Sequence, residues 1–141
     1  MQGPDRKAKG DFTFDYRGRR LILEVKSLDT PKVRQVKDGW AGTFQCNASD
    51  ASPKALPCGG PPLKTNCLVV GGFDVLAVGL FAFGKTWRFA FARNKDLPRS
   101  KGRDYTEAQR ACLLRSAMPI TWPLAPPYSA DLFAVLDSVL R

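Results

Sequence analysis

The sequence is 141 residues long, of which 44% are hydrophobic and 25% are charged, and these values are ordinary for one globular domain. The formal net charge is +9, which predicts a polyanionic partner such as nucleic acid, although a ribosomal or membrane-surface protein could carry the same excess. The absence of histidine excludes His-based catalytic triads, histidine general bases and histidine-ligated zinc, so any catalysis must use carboxylates, Lys, Cys or metal-bound water.

The cysteine pattern and the hydropathy exclude two further classes. None of the four cysteines forms a C-x-x-C pair, so we expect no structural zinc site. The sequence shows no signal peptide and no apolar run near the ~18 residues of a transmembrane helix, so we expect no membrane span. These features predict a cytoplasmic protein with one domain, residues 1–141, and reduced thiols at Cys46, Cys58, Cys67 and Cys112.

A β-hairpin is predicted directly after a polar, basic segment over residues 1–10, which we expect to be flexible. Asp11–Tyr16 and Arg19–Lys26 both alternate apolar and polar residues, which is typical of strands. Arg17-Gly18 fits a two-residue turn between them, because Gly adopts the positive φ that such turns need. This turn fixes the register, since a slip by one residue would mix the apolar and polar faces.

The predicted register brings three charged residues together at the open end of the hairpin. Asp11 lies opposite Glu24, and directly opposed residues project to the same face, which Lys26 shares two positions further on. Two opposed carboxylates repel each other unless a cation lies between them, and Mg²⁺ accepts carboxylate oxygens. Such a metal polarises a phosphoryl oxygen and activates a water, while Lys26 would orient that water or offset phosphate charge. The alternative is a solvated polar face with a cross-strand salt bridge.

This D-x(12)-E-x-K spacing on two hairpin strands resembles the PD-(D/E)XK nuclease superfamily, which has the restriction-endonuclease-like fold. The resemblance implies that Asp11 and Glu24 hold Mg²⁺, for which Mn²⁺ can substitute, and that Lys26 assists the attacking water. Asp15 is a rival acid, but it lies opposite Arg20 at the turn end, so Asp11 is preferred. Ten residues precede Asp11, so we expect the helix and strand that usually come before this hairpin in the family to be missing.

The next segments add candidate contacts to a phosphate backbone. Residues 27–37 are expected to form a loop or a short helical turn, in which Lys32 and Arg34 could contact DNA phosphates. Trp40–Cys46 is a predicted third strand. Gln45 within it either points into the site, where it would position a water or a phosphate, or is an ordinary polar residue of an edge strand.

The middle of the chain is predicted to contain a loop, a helix and two strands. Residues 47–62 are rich in Ser, Pro and Gly and are expected to form a loop that could touch a DNA groove. Leu63–Val70 is a predicted short helix. Phe73–Phe81 is apolar on both faces, which is typical of a central buried strand. Trp87–Ala92 is a strand whose aromatic face packs in the core or, alternatively, stacks bases.

The most basic loop of the sequence follows, over residues 93–103. Pro98 and Gly102 keep it irregular, and a basic loop after a buried strand can follow a phosphate backbone. The alternative is a solvated surface loop. The residues predicted to contact DNA here are Arg93, Lys95, Arg99, Lys101 and Arg103.

Two helices complete the prediction. The first begins at Thr106, forms a capping box with Gln109 and runs to about Met118, before Pro119. The second is capped by Ser129 and has an apolar stripe that faces the core.

These elements predict an α/β fold, in which a mixed β-sheet of about five strands with flanking helices forms a restriction-endonuclease-like core. The predicted function is a Mg²⁺-dependent endonuclease that hydrolyses DNA phosphodiesters by metal-activated water, and paired cuts would favour a homodimer. Two alternatives stay open. One is a non-catalytic or truncated nucleic-acid-binding protein of the same fold, and the other is a structure-specific nuclease such as a Holliday junction resolvase.

Overall fold

The computed structural model describes residues 11–141, and residues 1–10, predicted to be flexible, lie outside this range. Within it, most of the regular structure is strand. The elements are β1 Asp11–Tyr16, β2 Arg19–Ser27, β3 Arg34–Val36, β4 Gly39–Gln45, β5 Asn47–Lys54, β6 Leu63–Cys67, β7 Val75–Gly79, β8 Phe89–Arg93, α1 Glu107–Cys112, β9 Ala117–Trp122 and α2 Leu132–Val139.

The predicted hairpin is confirmed in its strands, its turn and its register. β1 and β2 are antiparallel, with Tyr16 opposite Arg19 and Asp11 opposite Glu24. Arg17 and Gly18 have φ values of 49° and 82°, so both turn residues adopt the left-handed conformation of a type I′ turn. The turn therefore fixes the pairing along the whole hairpin, up to the end that carries Glu24.

β2 is an inner strand of a four-stranded mixed sheet with the order β1-β2-β7-β8, called the first sheet below. It pairs antiparallel with β1 and parallel with β7, and β8 is antiparallel to β7. The predicted central strand is confirmed as β7, whose residues Val75 to Val78 are at most 2% exposed. The carboxylate of Asp74 accepts a hydrogen bond from the Ile22 backbone N–H at 2.8 Å, which aligns the start of β7 with β2.

The first sheet lies between α2 and a second, three-stranded sheet with the order β3-β4-β9. On the helix side the buried contacts come from Leu21, Val75, Val135 and Leu136. On the other side a larger core joins the two sheets, and its buried residues include Leu76, Val78, Phe44, Met118 and Ile120. Because side chains alternate along a strand, β2 and β7 contribute residues to both cores.

The mixed α/β character predicted from the sequence is confirmed, but the expected count of about five strands is wrong. Residues 11–141 form nine strands in three sheets, with two short helices. None of the helices in this part of the chain is long and apolar enough to cross a membrane.

The predicted loop over residues 47–62 is right for 55–62 but wrong for Asn47–Lys54, and the predicted helix Leu63–Val70 is wrong, because β5 and β6 pair as an antiparallel hairpin. The first predicted helix begins at its expected capping box of Thr106 and Gln109 but ends at Cys112 instead of Met118. The chain then continues as β9, which contains Pro119. β9 is an edge strand that pairs only with β4, and a proline is tolerated there because its missing N–H interrupts no second ladder.

Two further predictions about side-chain placement are corrected. Of the aromatic residues in the Trp87–Ala92 segment, Phe91 packs against the core beside α2, but Trp87 is 77% exposed and Phe89 is 40% exposed, whereas Ala90 and Ala92 are fully buried. The small alanines are buried because they leave room for the second sheet and its large side chains, such as Phe44. The last helix is capped by Asp131, whose carboxylate accepts from the Ala134 backbone N–H at 3.1 Å, and not by Ser129.

The packing of the hairpin against α2 can be tested with Leu21→Ala. Leu21 is fully buried in the cluster with Val75 and Leu136, so its truncation should lower the free energy of unfolding by about 2–5 kcal/mol, measured by urea denaturation. Val36→Ala changes a residue that is 39% exposed and serves as the control, with an expected change within about 0.5 kcal/mol. Similar losses in both variants would contradict the packing described here.

Candidate functional site

The centre of the site is the carboxyl-terminal half of β2. Glu24 and Lys26 are two residues apart and therefore share one face of the strand. Glu24 is beside Leu76 of β7 in the register, on the face that the second sheet covers. Glu24 is only 6% exposed, and the Lys26 side chain is 19% exposed. The alternative of a solvated polar face therefore does not describe these two residues.

Glu24 and Lys26 form an ion pair with 3.3 Å between Lys26 Nζ and Glu24 Oε2. Lys26 Nζ also donates a hydrogen bond to the backbone carbonyl of Asn47 at 2.9 Å. A buried carboxylate is costly unless it has charged or hydrogen-bonding partners, and Lys26 supplies one. Asn47 begins β5, so this contact also attaches the β5–β6 hairpin to β2.

Asp11 pairs with Glu24 in the backbone register, as the sequence predicted. The side chain of Asp11 lies outside the described part of the molecule. Its predicted rival, Asp15, is exposed and bonds Arg20 at 2.7 Å beside the turn. Asp15 is thus engaged at the far end of the hairpin from Lys26.

A second lysine, Lys54 of β5, reaches the end of the β5–β6 hairpin that Lys26 contacts. It was not predicted from the sequence. Its Nζ donates to the backbone carbonyl of Cys67 at 2.6 Å. Asn47 and Cys67 are directly paired at the base of the β5–β6 hairpin, so the two lysines bind the carbonyls of opposed residues. No signal in the sequence pointed to Lys54, because residues 47–62 have the composition of a loop.

Burial changes the acid–base properties of two groups at this site. Burial raises the pKa of the Cys46 thiol to about 12. The nearby charges of Lys26 and Glu24 have smaller effects on this pKa, Lys26 lowering it and Glu24 raising it. Cys46 therefore stays protonated at neutral pH and is a poor nucleophile, since the thiolate is the reactive form. Burial also lowers the pKa of Lys54 from its ordinary value, because a desolvated ammonium is disfavoured.

The structure does not bring Gln45 towards Glu24 and Lys26. Burial alternates along this segment, so that Phe44 and Cys46 are buried in the core between the sheets and Gln45 is only half-buried. Side chains of adjacent strand residues project to opposite faces, which places the amide of Gln45 on the other face of β4. Cys46, not Gln45, is the neighbour of the ion pair.

The basic residues predicted to contact DNA are of two kinds: Arg93 and Arg99 make contacts within the protein, and the others are exposed. Arg93 pairs with Val75, level with Leu23, and its guanidinium bonds Asp96 at 2.7 Å. Arg99 donates to the backbone carbonyls of Leu97 and Lys95, so its charge stabilises the loop itself. Five of the predicted DNA-contacting residues have exposed side chains: Lys32, Arg34, Lys95, Lys101 and Arg103.

The segment that carries Lys101 and Arg103 returns towards the site. The hydroxyl of Tyr105 lies 2.6 Å from the Thr65 hydroxyl and 3.6 Å from Cys67 Sγ, on the strand whose carbonyl binds Lys54. Lys95 instead follows Arg93, at the end of the first sheet where β7 begins. The second half of the basic loop is therefore the half that borders the site.

The carboxylates of the site decide whether it suits a magnesium ion. The described side chains contain no group of three or more His, Cys, Asp and Glu residues that could hold a metal. Glu24 offers a preorganised carboxylate, and the residue opposite it in the register is an aspartate. One or two carboxylates with several waters are the usual protein ligands of Mg²⁺, so Glu24 and Asp11 fit that ion.

Comparisons of this chain with protein-family models, with curated proteins and with solved structures find no significant match. The function is therefore inferred from the site itself.

The assignment of Cys46 as a buried, protonated thiol can be tested by alkylation. Iodoacetamide at neutral pH should modify the exposed Cys58 much faster than Cys46, because burial removes access and raises the pKa of Cys46 to about 12. The rates are measured for each cysteine by mass spectrometry of tryptic peptides. Equal rates at Cys46 and Cys58 in the folded protein would contradict the burial of Cys46.

Proposed function

We propose that this protein is a Mg²⁺-dependent DNA endonuclease of the restriction-endonuclease-like class. The observation that carries the proposal is the buried Glu24, ion-paired with Lys26 at 3.3 Å and opposite Asp11 in the register of β1 and β2. This arrangement supports the D-x(12)-E-x-K resemblance, because it places the acidic residue and E-x-K on adjacent hairpin strands. The fold-level part of the proposal is a restriction-endonuclease-like core built on the first sheet.

The energetics of the site favour a chemical role over a structural one. An apolar residue at position 24 would suit the buried face of an inner strand better than a carboxylate, since burying an ion pair seldom improves stability. A buried carboxylate beside an ammonium is instead typical of sites where charge is needed. The formal net charge of +9 suits a polyanionic substrate such as DNA.

Asp11 and Glu24 would hold the Mg²⁺ ion, and Mn²⁺ could replace it. When bound there, the ion would supply Lewis-acid stabilisation of the phosphate and a water of lowered pKa.

The ammonium group of Lys26 is fixed by the Asn47 carbonyl and the Glu24 carboxylate. Of the three N–H groups of its ammonium, one donates to the Asn47 carbonyl and another faces Glu24. The third is left to bind the attacking water or a non-bridging phosphate oxygen. An ammonium fixed in this way stabilises the negative charge that develops on the phosphate without having to reorganise.

Cleavage of plasmid DNA tests the proposal directly. The purified chain should nick or cut plasmid with Mg²⁺ and not with EDTA, and Lys26→Ala should lower the rate by about 100-fold or more. Asp11→Asn should also lose cleavage, because it removes a proposed metal ligand. Asp11→Asn should keep DNA binding, and Lys26→Ala should still bind DNA with the loss of about one phosphate contact. The rates are measured by agarose gel electrophoresis under single-turnover conditions.

Lys37→Ala provides the matched control, because it removes the same charge from an exposed residue in the turn between β3 and β4. It should cleave at the wild-type rate. Binding without Mg²⁺-dependent cleavage would refute the nuclease and favour the non-catalytic alternative, and normal cleavage by Asp11→Asn would refute the site. Faster cleavage of four-way junctions than of linear duplex would favour a junction resolvase.

The contribution of the basic loop can be tested with Lys101→Gln and Lys95→Gln. Lys101 is exposed on the half of the loop that borders the site, so its neutralisation should weaken binding to labelled duplex DNA and reduce the salt dependence by about one phosphate contact. Lys95 is equally exposed but follows β8, two strands away from β2, at the sheet end where β7 begins, and its neutralisation should have a smaller effect. Fluorescence anisotropy measures both. A larger effect of Lys95→Gln than of Lys101→Gln would contradict the assignment of the second half of the loop to DNA contact.

A further inference from the structure

The ammonium groups of Lys26 and Lys54 bind two opposed residues at the base of the β5–β6 hairpin. Lys26 Nζ binds the Asn47 carbonyl at 2.9 Å, and Lys54 Nζ binds the Cys67 carbonyl at 2.6 Å. Asn47 and Cys67 are directly opposed in the β5–β6 register. Residues opposed in this way have Cα atoms only about 4.5–5.5 Å apart, and the charge of Lys26 acts on Lys54 across this end of the hairpin.

The second lysine, Lys54, forms no direct ion pair with a described carboxylate, although the charge of Glu24 acts on it. Glu24 forms its ion pair with Lys26, and the ion pairs of the described residues include none with Lys54. Lys54 is half-buried, and burial lowers its pKa; Cys67 and Glu24 oppose this shift, and the charge of Lys26 adds a smaller lowering. The charged and titratable groups that act on Lys54 are Cys67 on β6, and Glu24 and Lys26 on β2.

The β5–β6 hairpin contains an irregularity between the base of the hairpin and Lys54. Its register shifts between Asn47 and Ser52, and irregularities of this kind bend the strand that carries them. The bent strand returns the end of Lys54 to the carbonyl of Cys67, close to Lys26. Among the described side chains here, Glu24 supplies one negative charge against two ammonium groups, and a partly desolvated ammonium beside another one favours an additional anion.

We propose that Lys54 is a second phosphate-contacting residue of the site, which binds a phosphate of the DNA together with Lys26. This inference rests on the proposed function, since it takes DNA as the anion. Two of the N–H groups of Lys54 are not used by the Cys67 carbonyl and can donate to phosphate oxygens. The β5–β6 hairpin is thus attached to β2 through Asn47 and also contributes a functional group, Lys54, to the site.

The test compares three variants by the salt dependence of their binding to a fluorescein-labelled DNA duplex, measured in EDTA so that no cleavage occurs. Lys54→Gln keeps an N–H donor for the Cys67 carbonyl but loses the charge. It should weaken binding about tenfold and reduce the slope of log Kd against log salt by about 0.9, the value for one phosphate contact. Lys54→Arg keeps the charge and should keep the wild-type slope.

Lys64→Gln is the matched control, because Lys64 is exposed on β6 beside Pro53 and lies on the opposite face of the same hairpin. Its slope should equal that of the wild type. A wild-type slope in Lys54→Gln, or an equal loss in Lys64→Gln, would overturn the proposal.

A measurement on the wild-type chain does not depend on the folding of any variant. Acetylation with an N-hydroxysuccinimide ester, followed by mass spectrometry, should show Lys54 protected by bound duplex and Lys64 unprotected. Equal protection of both lysines would overturn the inference. If the wild-type chain binds DNA but fails to cleave it with Mg²⁺, the nuclease is refuted while the slopes and the protection still decide the role of Lys54. Cleavage by the wild type with an unchanged slope in Lys54→Gln refutes Lys54 alone.

Discussion

The position of β2 between β1 and β7 is the constraint on which the rest of the molecule depends. Pairing on both edges leaves β2 only its two faces for other contacts, and both faces are covered. Leu21 on one face anchors α2, and Ile22 on the other packs against the core between the sheets. Glu24 continues that second face, so the fold holds a carboxylate where an apolar residue would be expected, and Lys26 compensates it.

Much of this constraint is readable in the sequence because it is local. The Arg17-Gly18 turn sets the register of the hairpin, and the alternation of apolar and polar residues fixes which side chains share a face. The pairing of Asp11 with Glu24 follows from these two facts. The burial of β7 was equally clear, since a run that is apolar on both faces suits only an inner strand.

The remaining elements are decided by contacts between distant parts of the chain. β5 has the sequence NASDASPK, whose intrinsic strand preference is poor, and it becomes a strand because β6 pairs with it. The first helix ends early because Leu113 and Leu114 are both fully buried in different clusters. Adjacent residues can point in opposite directions only in extended chain. Lys54 was missed for the same reason as β5, since its place depends on that pairing.

The small cluster beneath the β5–β6 hairpin separates this element from the two main cores. Its buried members are Leu56, Cys67 and Leu113, none of which belongs to the cores on either side of the first sheet. Substitutions between residues 57 and 62, all exposed at the hairpin tip, therefore leave the packing of the sheets unchanged. A chain built in this way can diversify its outer contacts through one short segment, while selection on folding acts on the rest.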